Sequence, residues 1–78
     1  MENEYQKEIL EGAYQARIRE VTEYQVNIDN YVLALEEIGD DPSLQEFKKQ
    51  IAGLLESSIL EQKKASVMLR VIRRQLEM

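Results

Sequence analysis

The stretch that decides the fold is Tyr31-Val32-Leu33-Ala34-Leu35-Glu36-Glu37-Ile38-Gly39-Asp40-Asp41-Pro42-Ser43-Leu44. Up to Ile38 its apolar residues are spaced as on one face of a helix. Gly39 then stands where a helix stops, because glycine enters the left-handed backbone conformation without strain from a Cβ. Pro42 presets the first turn of a following helix, with Asp41 as its N-cap. Ser43 with Glu46 offers an alternative start, a reciprocal side-chain cap. One helix ends and another begins within about five residues, a connection suited to antiparallel neighbours. The reading is an all-α, coiled-coil-like hairpin in a single domain, residues 1–78. The first helix spans about 4–38, the turn 39–43 and the second helix about 42–77.

Outward from the turn, the apolar pattern keeps a 3.5-residue period on both sides. The first helix carries Leu10, Tyr14, Arg17, Val21, Tyr24, Ile28, Tyr31, Leu35 and Ile38. The same alternation of threes and fours in the second helix gives Leu44, Phe47, Ile51, Leu54, Ser58, Glu61, Ala65, Met68, Ile72 and Gln75. Such spacing predicts a straight seam between two helices crossing at a shallow angle. Folding the chain about residue 41 sets Leu35 level with Phe47, Tyr24 with Ser58, and Arg17 with Ala65. Large residues thus meet small ones twice along the seam. The two charged seam residues, Arg17 and Glu61, fall within a helical turn of each other. Either an ion pair between them serves register more than stability, or both side chains extend past the seam into solvent.

Composition narrows what such a hairpin does. The chain has 78 residues, no cysteine and no histidine. Disulfides and thiolate metal sites are therefore excluded, and so are the commonest metal ligand and the commonest general base. A chain this short gains little from one core, which leaves association as the open route to stability. No apolar run approaches the roughly 20 residues of a membrane span. The acidic start Met1-Glu2-Asn3-Glu4 lacks the order of a signal peptide. The expectation is a cytoplasmic protein without a membrane contact, a cofactor or a small-molecule substrate.

The flanks of the seam differ. One side reads Ala13, Glu20, Asn27 and Ala34 with Gln50, Ser57, Lys64 and Val71, mostly polar or small. The other carries Ile18, Gln25 and Val32 with Leu55, Gln62, Leu69 and Leu76, widened by Ala52 and Ile59. A contiguous apolar patch marks an interaction surface. Ile18, Val32, Ala52, Leu55, Ile59, Leu69 and Leu76 are thus the expected protein interface. The expected arrangement is a homodimer closing a four-helix bundle. The alternative is a small adaptor, chaperone-like or inhibitory protein whose flank takes a heterologous partner. Val26 and Leu33 lie opposite the seam, where single exposed apolar residues are ordinary.

No catalytic constellation emerges. Tyr14, Tyr24 and Tyr31 occupy the seam, where packing accounts for them, and no histidine is present to activate them or Tyr5. Asp40-Asp41 and Glu36-Glu37 lack the twelve-residue ligand spacing of a calcium loop. Net charge is −5, with three basic and nine acidic residues in 1–39 and seven basic and six acidic in 40–78. Lys63, Lys64, Arg70, Arg73 and Arg74 raise a nucleic-acid reading through phosphate contacts. The helix dipole also favours cations there, and Glu2, Glu4, Glu8 and Glu11 of the first helix come level with them.

In architecture the chain is similar to the small helical-hairpin co-chaperones of type III secretion systems and to short accessory proteins of tailed phages. That resemblance implies a compact protein that works by binding another protein. It assigns no residue a role.

Overall fold

The computed structural model describes residues 4–78, so Glu2 and the Met1–Asn3 start lie outside the described residues. Helix α1 spans Glu4–Ile38, a 3₁₀ turn spans Pro42–Leu44, and helix α2 spans Gln45–Glu77. The two helices run antiparallel and pack along their length, and the described residues contain no strand. The molecule is a rod with principal extents of 64 × 14 × 14 Å.

The turn is built as its residues dictate. Gly39 has φ +52°, and its N–H donates to the Leu35 carbonyl at 3.1 Å. This left-handed step ends α1. Asp41 then caps the 3₁₀ turn: its Oδ1 accepts from the Ser43 N–H at 2.9 Å and from the Ser43 hydroxyl at 2.7 Å. The Ser43 hydroxyl is committed to Asp41, and Leu44, preceding α2, makes no side-chain cap. Of the two starts open to the sequence, the Asp41 cap is the one used. Lys48 reaches back from the first turns of α2, its Nζ 2.8 Å from the Gly39 carbonyl oxygen. A cation there satisfies a carbonyl at the negative end of α1.

The α1 face turned to α2 is the row read from the sequence. Leu10, Tyr14, Arg17, Val21, Tyr24, Ile28, Tyr31 and Leu35 are half-buried, and Ile38 is buried. Helix α2 is rotated from expectation. Ile51, Ser58, Ala65 and Ile72 are buried, but the row completing the seam is Leu55, Gln62, Leu69 and Leu76, all half-buried. The row expected there, Phe47, Leu54, Glu61, Met68 and Gln75, lies one residue away; Phe47, Leu54 and Met68 are 47%, 48% and 46% exposed.

The physical reason is in residues 61 and 62. Seating the expected row would sink the Glu61 carboxylate, and burying a charge costs far more than burying a bonded amide. With α2 rotated, Gln62 enters instead. Its Nε2 donates to the Val21 carbonyl at 3.2 Å and to Gln25 Oε1 at 2.8 Å. Gln25 passes the network on, donating to Asp29 Oδ1 at 2.9 Å. The rotation also places three leucines in the seam where the expected row offered Leu54, Met68 and Gln75.

The expected Arg17–Glu61 ion pair is not formed. Arg17 pairs with Glu20 and Glu61 with Lys64, the latter at 3.0 Å, each within its own helix. Pairs three residues apart satisfy both charges without ordering a long side chain across the seam. Arg17 Nε stays buried without a hydrogen-bond partner. The core is thin: among the described residues Ile38, Ile51, Ala65 and Ile72 are the buried apolar ones, and no side chain falls below 2% exposure.

Candidate protein-interaction surface

The Gln62–Gln25 bond fixes which edges of the two helices share a side. On that side lie Ile18 and Val32 of α1 with Ala52 and Ile59 of α2, all exposed. Leu55, Leu69 and Leu76, expected beside them, are instead half-buried between α1 and α2. The next row round α2 is Lys49, Glu56, Lys63, Arg70 and Glu77, every member exposed. The apolar residues left on this side are therefore few and bounded by charge. Ile18 and Ile59, at 36% and 37%, are only just over a third exposed.

The opposite side of α2 is the open one. Phe47, Leu54 and Met68 stand on the row next to the seam, and Val71 on the row beyond it with Gln50, Ser57 and Lys64. Val71 is exposed as well, and Leu60 and Val67 continue the apolar surface one row further round. This face points roughly 100° round α2 from the seam, by the helical period. A helix in a four-membered bundle meets its two neighbours at about a right angle.

Sequence reading missed Phe47, Leu54 and Met68 as surface because it spent them on the seam. The available signal was Glu61. A carboxylate in a row facing another helix, with a glutamine beside it able to take its place, marks the row that turns outward.

The basic residues are spread over several exposed rows of α2. Lys63 and Arg70 are neighbours on one exposed row, with Glu56 before them and Glu77 after. Lys64 pairs with Glu61, Arg73 lies 4.0 Å from Glu77, and Arg74 follows Leu60 and Val67. Among the described residues no group of three or more acidic side chains converges in a metal-binding arrangement. No helix of the described residues is long and apolar enough to cross a membrane. Asp41 has its carboxyl held below the ordinary range, first by the Ser43 hydroxyl and then by the Ser43 N–H, with slight desolvation opposing. That cap holds the turn.

Comparison with protein-family models, with curated proteins and with solved structures returns no match.

Proposed function

We propose that this chain is a non-enzymatic protein–protein interaction module that self-associates into a four-helix bundle through the uncovered face of α2. The observation that supports this is its surplus of surface. A folded monomer of 9.1 kDa has about 4,900 Å² of accessible surface by the usual size scaling, whereas this chain has 6271 Å². The surplus of roughly 1,400 Å² is more than the ~800 Å² each partner contributes to a standard interface. The radius of gyration agrees: 17.8 Å for the Cα trace, against about 11.5 Å for a compact chain of this length. A thin seam and a row of half-exposed large apolar side chains both call for a covering surface.

Thermal unfolding across a dilution series tests it. Association stabilises the folded state by mass action, so the midpoint falls as the protein is diluted. A midpoint independent of concentration overturns the self-association.

One observation favours a second, heterologous reading. Val26 and Leu33 are 54% and 58% exposed on the outer face of α1, which a bundle closed through α2 leaves bare. An adaptor whose partner lies along that face would cover them.

A further inference from the structure

The open face of α2 is complementary to itself. The row Phe47, Leu54, Glu61, Met68, Gln75 and the row Gln50, Ser57, Lys64, Val71 lie side by side. Two such helices can meet antiparallel about a two-fold axis midway between Gln62 and Lys63. Each residue of one row then stands level with a residue of the other row on the second copy. Leu54 meets Val71, Met68 meets Ser57, Gln50 meets Gln75, and Phe47 reaches Met78 at the partner's helix end. At the centre Glu61 of each copy meets Lys64 of the other. Apolar faces apolar or small, amide faces amide, and each charge faces its opposite, every contact occurring twice by symmetry.

We infer that the occupant of this face is a second copy of the chain, bound α2 to α2 and antiparallel, in the register set by Glu61 and Lys64. The inference rests on the self-association reading and adds the face, the direction and the register. Charge decides the direction. A parallel pair would also set Leu54 on Leu54 and Met68 on Met68, but it would bring Glu61 against Glu61 and Lys64 against Lys64. Antiparallel pairing turns that repulsion into two cross-chain attractions. Leu60 and Val67 then flank the contact on its outer edge, each beside the other residue's copy in the partner. On the inner edge the facing α1 row is Ala13, Glu20, Asn27 and Ala34, small or polar throughout.

Charge reversal tests this without disturbing the seam, because residue 64 is exposed and residue 61 lies outside the seam row. Glu61→Lys alone and Lys64→Glu alone should each weaken the dimer by about tenfold or more. Mixing the two variants should restore it as a heterodimer in which every facing pair is opposite in sign. Mixing cannot repair the pair within either helix, so recovery reports only on contacts between chains. Sedimentation of each variant alone and of the mixture, with circular dichroism to confirm helix content, reads the result. A wild-type dimer whose reversed variants still dimerise, or whose mixture gains nothing, overturns the register while leaving self-association intact. A wild type that stays monomeric overturns both.

Discussion

At the scale of single residues, Gln62 and Glu61 carry opposite predictions despite being neighbours. Gln62 donates to two oxygens, the Val21 carbonyl and Gln25 Oε1. Gln62→Glu would set a carboxylate against two acceptors and should cost roughly 1–3 kcal/mol in urea denaturation. In solutions dilute enough to contain monomer, Glu61→Gln removes only the pair with Lys64 of the same helix and should stay within about 0.5 kcal/mol of wild type. Equal effects would contradict the rotation of α2. Asp41 gives a pH prediction. Its carboxyl is held below its ordinary value of 3.8 by Ser43, so the folded state binds that proton more weakly than the unfolded chain. The stabilisation is complete above the ordinary value and is lost as pH falls through the lowered one. Asp41→Ala should lower the unfolding midpoint near neutrality, and the difference from wild type should shrink in acid. A difference unchanged down to pH 2 would argue against the cap.

At the scale of the helices, the two ends of the turn and the α1 face were legible because each rests on a strong local signal. Gly39 supplies a left-handed residue, Pro42 a helix start, and the α1 row has no comparable apolar row beside it. The phase of α2 was not legible from apolar spacing. Leu54 and Leu55, Met68 and Leu69, and Gln75 and Leu76 are neighbours in sequence, so two adjacent rows compete as seam with similar apolar content. Polar bookkeeping decides between them. Consequently four of the expected interface residues, Ile18, Val32, Ala52 and Ile59, remain on the surface, while Leu55, Leu69 and Leu76 hold the hairpin together. Leu55→Ala should therefore cost about 1–2 kcal/mol more than Leu54→Ala in solutions dilute enough to contain monomer, since only Leu55 loses seam contacts there. Denaturation of both variants at low concentration checks it, and a larger loss for Leu54→Ala would put the seam back on the other row.

At the scale of the whole molecule, the rod has four buried apolar residues among those described, a thin core for two helices of this length. Short chains lacking disulfides and metals reach stability by association more readily than by a larger core. The open α2 face stands close to a right angle from the seam, which is the disposition a third and fourth helix need. The central claim is that this face, on which Leu54 meets Val71 of the other copy, joins two chains. Sedimentation equilibrium of wild type and of Leu54→Glu, over the same dilution series, tests it most directly. The account predicts a wild-type dimer and a variant of half that mass with helix content intact, because Leu54 is outside the hairpin seam. A wild-type monomer, or a Leu54→Glu chain that still sediments as a dimer, would contradict it.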